Sequence, residues 1–196
     1  LGVLGERFGL EEKGYLLSLG RLTSEKGVHY LIQAFRRLDT PVKLVIAGDQ
    51  LLGKEYLKYL RELAGDDPRI VFTGALYGEE KDEAFSNALG FVLPSELEGM
   101  PIVMLEAMSY GCPVLSSDIT ECAAVWETAR REEGIELCRS FRSRDVDDLL
   151  RGLRELLDDP ERTAMGEQAR KYVLVRYNGD GIADETLRVY SLALNG

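Results

Sequence analysis

The sequence is poor in the residues on which metal sites, disulfide scaffolds and histidine-dependent catalysis rely. Its 196 residues include one histidine, His29, and three cysteines, Cys112, Cys122 and Cys138, with no CxxC spacing. One histidine cannot build a His-rich metal site and leaves a Ser/His/Asp triad no choice of base. An odd number of widely spaced cysteines fits reduced thiols better than disulfides. We therefore predict no metal site and a cytoplasmic location.

Positive charge is in deficit, and long apolar runs are missing. The chain has 24 Lys and Arg against 34 Asp and Glu, a net charge of −10. This balance excludes binding to nucleic acid through overall charge, so any phosphate site must be local. No apolar run approaches the roughly 18 residues of a membrane span. An acidic surface also disfavours anionic membranes, so peripheral attachment would have to come from another part of the full-length protein.

The sequence does contain a regular alternation of short apolar runs with longer segments of helical period. This alternation is typical of βαβ units in a parallel sheet. It predicts an α/β fold, a Rossmann-like open parallel sheet of about six strands with helices on both faces. The predicted strands are 15–19, 43–47, 70–73, 90–93, 113–116 and 135–138. The predicted helices are 28–38, 53–64, 79–88, 102–110, 121–131, 146–157, 160–176 and 180–194.

Glycines follow several of the predicted strands. Gly20, Gly48 and Gly74 come directly after strands, and Gly99 lies a few residues beyond another. Ligands of open parallel sheets bind at the carboxyl ends of the strands, where loops turn tightly and backbone approaches the ligand. One edge of the sheet is therefore predicted to hold a ligand.

The segment 94–108 is the strongest candidate for that ligand site. Pro101 suits the first position of a helix, which would leave the amides of Ile102 and Val103 unpaired and pointing outward. With Gly99 close by, these amides would form an anion site at a positive helix end.

Two glutamates belong to the same segment. Glu106 stands in an otherwise apolar helix, where a carboxylate needs partners. It could accept hydrogen bonds from the vicinal hydroxyls of a ribose, or it could pair with a buried arginine or backbone amides, and the spacing favours neither. Glu98, in the preceding loop, is predicted to face the same opening.

The loop 20–27 supplies two cations to this edge. Arg21 could clamp phosphate oxygens and Lys26 could add a point charge, so that together they would neutralise a diphosphate without a metal. Taken alone, a solvated loop with Lys26 paired to Glu25 or another acid is the more common outcome.

A second phosphate motif is nearly present. Residues 48–55 almost spell the GxxxxGK[ST] loop of nucleotide triphosphatases, but Glu55 stands where the magnesium-binding hydroxyl belongs. An acidic side chain there would repel phosphate. We keep a triphosphatase only as a remote alternative.

Several of these motifs together resemble the carboxyl-terminal half of the retaining glycosyltransferases of family four, also called group 1. The resemblance covers nearly the whole chain from residue 14. It rests on Gly20-Arg21, Glu25-Lys26-Gly27, Ala47-Gly48-Asp49, Phe72-Thr73-Gly74, Pro94-Ser95, Glu98-Gly99, Glu106-Ala107-Met108 and Gly111-Cys112-Pro113-Val114. It implies one half of a GT-B architecture, with residues 1–13 as the end of the interdomain linker and 14–196 as a nucleotide-sugar-binding domain. The amino-terminal acceptor domain would be a missing partner.

The same resemblance assigns roles to residues. Glu98 and Glu106 fall on the EX7E motif of the family, so Glu98 would lie near the transferred sugar and Glu106 would hold the ribose. Arg21 and Lys26 would hold the diphosphate. The remaining binding positions would be Gly20, Gly99, Met100, Pro101, Ile102 and Val103, with Ala75, Leu76 and Tyr77 lining the base pocket.

The function expected from this resemblance is the donor-binding part of a hexosyltransferase. It would use a UDP-, ADP- or GDP-sugar as co-substrate and no other cofactor, and would transfer the sugar to an acceptor hydroxyl without a metal. Without an amino-terminal domain, the chain alone is expected to bind the donor but to transfer poorly. A non-catalytic nucleotide-binding module of the same fold is the alternative, since a fold does not fix a function.

Overall fold

A computed structural model describes residues 2–49 and 55–177. The sheet contains six parallel strands in the order β3-β2-β1-β4-β5-β6. Their bounds are β1 Tyr15–Leu19, β2 Lys43–Ala47, β3 Ile70–Gly74, β4 Gly90–Leu93, β5 Val114–Ser117 and β6 Arg139–Phe141. The predicted α/β fold with an open parallel sheet is confirmed.

Helices cover both faces of the sheet. They are α1 Val3–Phe8, α2 Val28–Phe35, α3 Glu55–Ala64, α4 Gly78–Asn87, α5 Ile102–Ser109, α6 Thr120–Glu133, α7 Val146–Asp158 and α8 Arg162–Arg176. A short 3-10 helix, Ser24–Lys26, precedes α2. Helices α2, α3 and α7 pack on one face, while α1, α4, α5, α6 and most of α8 pack on the other.

Alternation along the strands fills both cores. Leu17 of β1 faces one core and Leu16 faces the other, and both are fully buried. Strands covered on both faces are mostly apolar, which is why the sequence shows them as nearly continuous apolar runs. Strand order reverses beside β1, which pairs with β2 on one side and β4 on the other. A crevice at such a reversal is the usual ligand site of an open α/β sheet.

The last strand was predicted in the wrong place. Residues 135–138 form no strand, and β6 begins at Arg139, which pairs with Leu115 of β5. Leu137 and Cys138 are buried in a core next to the sheet, so their apolar character reflects packing rather than ladder pairing. An edge strand has solvent on one side and can therefore contain a charged residue such as Arg139.

The amino-terminal segment is also more regular than predicted. Residues 3–8 form α1, with Leu4 fully buried and Arg7 paired to Glu80 of α4. The backbone amide of Leu4 donates to Glu83 Oε2 at 3.4 Å. These contacts with α4 stabilise a helix too short to form alone. Whether residues 1–13 also end an interdomain linker stays a prediction.

Other helix bounds differ from the predicted ones by a few residues, as in α2, which ends at Phe35 rather than residue 38. The predicted helix 180–194 and residues 53–54 lie outside the described residues. In the described ranges no helix combines the length and hydropathy needed to cross a membrane.

Candidate functional site

A cavity of about 190 Å³ opens where the sheet order reverses, at the carboxyl ends of β1 and β4. Two loops from distant parts of the sequence form it, residues 18–28 and 93–103. Its lining includes Gly20, Arg21, Lys26, Ser95, Glu98, Met100, Ile102 and Val103. The structure thus brings most of the predicted site residues around one cavity.

Glu98 and Lys26 form an ion pair inside this cavity. Lys26 Nζ donates to Glu98 Oε1 at 2.7 Å, and the two side chains are 17% and 7% exposed. The hydroxyl of Ser95, a fully buried residue, donates to the same oxygen at 2.6 Å. Lys26 therefore pairs with an acid 72 residues away and not with its neighbour Glu25.

Glycine allows the two loops to meet. Gly27 has φ +64°, and a Cβ atom there would lie 1.9 Å from the carbonyl oxygen of Pro94. Only glycine tolerates both the backbone conformation and the contact. Beside it, the amide of Glu96 donates to the carbonyl of Glu25 at 2.7 Å. These contacts fix the Lys26 loop against the end of β4.

A second close approach shapes the neighbouring loop. A Cβ on Gly48 would lie 1.8 Å from the carbonyl oxygen of Gly20, so β2 and β1 leave the sheet with their backbones in contact. Next to this contact lies a cavity of about 280 Å³ lined by Leu19, Gly20, Arg21, Gly48, Asp49, Ala75, Leu76 and Tyr77. The three predicted base-pocket residues therefore lie beside Gly20 and Arg21.

Arg21 borders both cavities. It is exposed, and no hydrogen bond or ion pair with residues 2–49 or 55–177 engages its guanidinium. A nearby carboxyl, Glu25, has its pKa lowered, chiefly because the Thr23 hydroxyl donates to it at 2.7 Å. As far as the described ranges go, Arg21 has no internal hydrogen bond to break before it offers its donors to an anion.

The start of α5 differs from the prediction. Pro101 is the N-cap rather than the first helical residue, and the amide of Ile102 donates to the carbonyl of Met100 at 2.8 Å. The expected free amide of Ile102 is therefore wrong, because a tight turn at Pro101 consumes it. The amides of Met104 and Leu105 donate to Pro101.

Val103 retains the free amide at this helix end. No acceptor within the described chain engages it, and the residue lines the first cavity beside Met100. An unpaired amide at a helix N-terminus favours an anion. The predicted anion site thus keeps one backbone donor rather than two.

Glu106 lies apart from Glu98. It accepts a hydrogen bond from Lys81 of α4, and both side chains are about one third exposed. It lines a separate cavity of about 420 Å³ between α5 and α8, which shares Met100 and Ile102 with the first. Neither a buried arginine nor backbone amides pair with it in the described ranges, and Lys81 was not foreseen as its partner.

The three thiols lie in the core on one face of the sheet, and none of them lines the cavity. All three cysteines are free and buried. Burial raises the pKa of Cys122 to about 12, and the nearby carboxylate of Glu98 adds to the shift. The thiol is therefore neutral near pH 7 and is not a nucleophile.

The triphosphatase alternative depends on a loop that is only partly described, since Lys54 and residues 50–53 lie outside the described ranges. Sequence reasoning quoted Ser95 as part of a motif but assigned it no role, although its position three residues before Glu98 in a tight loop was a usable signal. It also overlooked Lys81, which gave no signal because its partner lies on another helix.

No cluster of three or more potential metal ligands is present among the residues described.

Comparison with known sequences identifies related enzymes. The chain is 32% identical over 188 residues to an uncharacterised glycosyltransferase, MJ1607, of Methanocaldococcus jannaschii, covering 94% of this chain and 46% of that protein. It is 31% identical over 191 residues to alpha-D-kanosaminyltransferase of Streptomyces kanamyceticus, covering 95% and 48%. The chain thus spans about half the length of these relatives.

Comparison with solved structures gives the same fold. An Anabaena protein, Alr3699/HepE, crystallised with UDP and glucose, superposes with TM-score 0.82 at 21% identity, covering 96% of this chain and 51% of that one. Sucrose-phosphate synthase from Thermosynechococcus elongatus gives TM-score 0.77 at 23% identity, covering 100% and 49%. The fold therefore corresponds to about half of each matched chain, as expected for one half of a GT-B architecture. The family model "Glycosyl transferases group 1" matches residues 6–172, and the chain belongs to that glycosyltransferase family.

Proposed function

We propose that this chain is the part of a retaining hexosyltransferase that binds a nucleoside diphosphate sugar. The observation that carries the proposal is the cavity where Arg21, Lys26, Glu98 and the free amide of Val103 meet. Cations and a helix end suit a diphosphate, while a buried carboxylate suits the hydroxyl groups of a sugar. Both requirements of a nucleotide sugar are met within one cavity.

The diphosphate is proposed to lie between Arg21 and the start of α5. Arg21 binds phosphate oxygens in a bidentate manner. Gly20 and Gly99 lack side chains and let the diphosphate approach the backbone, where the Val103 amide donates to it. Lys26 adds a second positive charge once it turns from Glu98. Negative charge develops on the departing nucleoside diphosphate during transfer, and preorganised donors stabilise it at little reorganisation cost. These groups could replace a metal ion in that role.

The sugar and the nucleoside then occupy opposite sides of the diphosphate. Glu98 accepts hydrogen bonds from sugar hydroxyls near Met100 and Pro101. The base lies in the cavity lined by Ala75, Leu76 and Tyr77, next to Gly20 and Arg21. The ribose hydroxyls reach Glu106 only if Lys81 yields its place or shares the carboxylate, because Lys81 occupies Oε1.

Calorimetric titration with UDP, ADP, GDP and ATP, each with magnesium and with EDTA, tests the proposal. We expect metal-independent binding of one diphosphate, weakened about tenfold or more by Arg21→Ala, since a charge-assisted bidentate contact contributes about 1.5–3 kcal/mol. Arg37→Ala is the matched control, because Arg37 is also exposed but pairs with Asp147 of α7. It should leave the affinity unchanged.

Three outcomes would contradict the proposal. Absence of binding to all three diphosphates would remove its basis, and equal losses in the two arginine variants would show a non-local charge effect. Magnesium-dependent ATP binding that survives Arg21→Ala would favour the triphosphatase alternative. An assay of sugar transfer from radiolabelled nucleotide sugars, done with the full-length protein, distinguishes an enzyme from a non-catalytic nucleotide-binding module.

A further inference from the structure

Ser95 holds Glu98 from beneath the cavity. It is fully buried, and its hydroxyl donates to Glu98 Oε1 at 2.6 Å. Short hydrogen bonds from a hydroxyl to an ionised carboxylate are among the stronger ones in proteins. No solvent reaches Ser95, so its hydroxyl has no competing partner in water.

The backbone of Ser95 is itself fixed by the adjacent strand. The hydroxyl of Ser117, at the end of β5, donates to the carbonyl oxygen of Ser95 at 2.6 Å. On the other side, the close approach of Gly27 to Pro94 holds the preceding residue. Ser95 is therefore a rigid point from which a hydrogen bond can orient a neighbouring side chain.

Glu98 has its two oxygens in different states. Oε1 accepts from both Lys26 and Ser95, whereas Oε2 accepts no hydrogen bond from the described residues. The side chain lines the cavity, so Oε2 is the oxygen left for a bound hydroxyl. The two donors on Oε1 thus determine where Oε2 points.

A bound diphosphate would compete with Glu98 for the donors of Lys26. An ammonium group that turns toward phosphate oxygens leaves Oε1, and the carboxylate then keeps one internal donor. Without the Ser95 hydroxyl as a donor, Glu98 would be free to rotate. The entropy lost in ordering Glu98 would then make sugar binding weaker. Ser95 is the group that remains.

We propose that Ser95 is a positioning residue that keeps Glu98 aimed at the sugar after Lys26 has moved to the diphosphate. This inference rests on the proposed function. It goes beyond that function by assigning a role to a fully buried side chain that acts on the sugar through Glu98. Ser95 acts on the sugar part of the ligand only, because the one side-chain hydrogen bond that it makes with the described residues is with Glu98.

The test compares binding of a nucleoside diphosphate with binding of its sugar conjugate. UDP and UDP-glucose are titrated first, then GDP with GDP-mannose and ADP with ADP-glucose, and the pair that binds is used. We expect Ser95→Ala to weaken the sugar conjugate about tenfold while changing the affinity of the bare diphosphate less than about twofold. Ser95→Thr, which keeps the hydroxyl, should restore most of the difference.

Ser116→Ala is the matched control. Ser116 is also a fully buried serine, but its hydroxyl donates to the carbonyl of Ser117 at 3.1 Å and not to Glu98. Its loss should leave both affinities unchanged. If Ser95→Ala does not fold, Ser95→Cys takes its place, because a thiol of similar size is a much weaker donor.

The two proposals fail in different ways. If wild-type protein binds none of the three diphosphates, the proposed function fails and this inference with it. If a pair binds but Ser95→Ala weakens both members equally, or neither, the positioning role is wrong and the proposed function stands. Equal effects of Ser95→Ala and Ser116→Ala would likewise reduce Ser95 to a structural residue.

Discussion

Replacing Gly27 by alanine should separate the two loops that form the site. The residue has φ +64°, and its new Cβ would lie 1.9 Å from the Pro94 carbonyl oxygen, whereas real Cβ contacts essentially never fall under 3.0 Å. The loops must therefore move apart by 3.0 − 1.9 = 1.1 Å or more. Backbone on both sides of the contact leaves no flexible side chain to absorb the shift.

The cost follows from what that shift breaks. The left-handed conformation costs alanine about 1 kcal/mol. Lengthening the 2.7 Å hydrogen bond between the Glu96 amide and the Glu25 carbonyl costs about 1 kcal/mol more. Partial separation of the mostly buried pair Lys26–Glu98 adds about 1–2 kcal/mol. We expect the free energy of unfolding to fall by about 3–4 kcal/mol in total.

Denaturation in urea, followed by the fluorescence of the single tryptophan, Trp126, measures this loss. Gly134→Ala is the control, because Gly134 has φ +69° and an added Cβ there would have no atom of the described chain within 4 Å. It should lose only the conformational part, about 1 kcal/mol. If Gly27→Ala were as stable as Gly134→Ala, the close approach would not constrain the loops, and the reasoning would be refuted.

Two further predictions concern Glu106 and the thiols. Glu106→Gln should weaken a ribonucleotide but not its 2′,3′-dideoxy analogue, and should cost under about 1 kcal/mol of stability because the pair with Lys81 is partly exposed; equal weakening of both nucleotides in calorimetry would contradict the ribose role. Cys112, Cys122 and Cys138 should resist Ellman's reagent in native protein at pH 8 and react fully in guanidinium, since burial raises the pKa of the first two to about 12 and that of the third further. Rapid native labelling would show that these thiols are accessible.

The central strands could be predicted from sequence because their environment leaves a strong local signal. β1, β2 and β4 are covered on both faces, so nearly every residue in them is apolar, and β1 and β2 end directly before a glycine. The predicted bounds of these three strands agree with the structure. Parallel order follows from the helices between them, since parallel strands need crossover connections.

The edges of the domain could not be predicted in the same way. β6 contains Arg139. It forms a strand because it pairs with β5, not because its residues have a strong strand propensity. Helix α1 exists because Leu4 and Arg7 find partners on α4. Both elements depend on contacts with segments far away in the sequence, which no local pattern records.

The site was predictable in its members but not in its pairings. Residue types and glycine spacing located Arg21, Lys26 and Glu98 at one edge of the sheet. The chain brings Lys26 to Glu98 across 72 residues, a distance over which charge alone cannot identify partners. The Ile102 amide was misjudged for a related reason, since its acceptor depends on the turn geometry at Pro101.

Under the proposed function, the pairing of Lys26 with Glu98 would explain how an acidic chain holds an anion. A net charge of −10 repels a diphosphate, and a buried, unpaired carboxylate inside the cavity would repel it further. Lys26 neutralises Glu98 before a ligand binds, so the approaching anion first meets exposed Arg21 and the Val103 amide. Under the proposed function, Lys26 would turn to the phosphate, and sugar hydroxyls would then replace it as donors to Glu98. A bare diphosphate cannot supply these hydroxyls, so such a site would discriminate in favour of the complete nucleotide sugar.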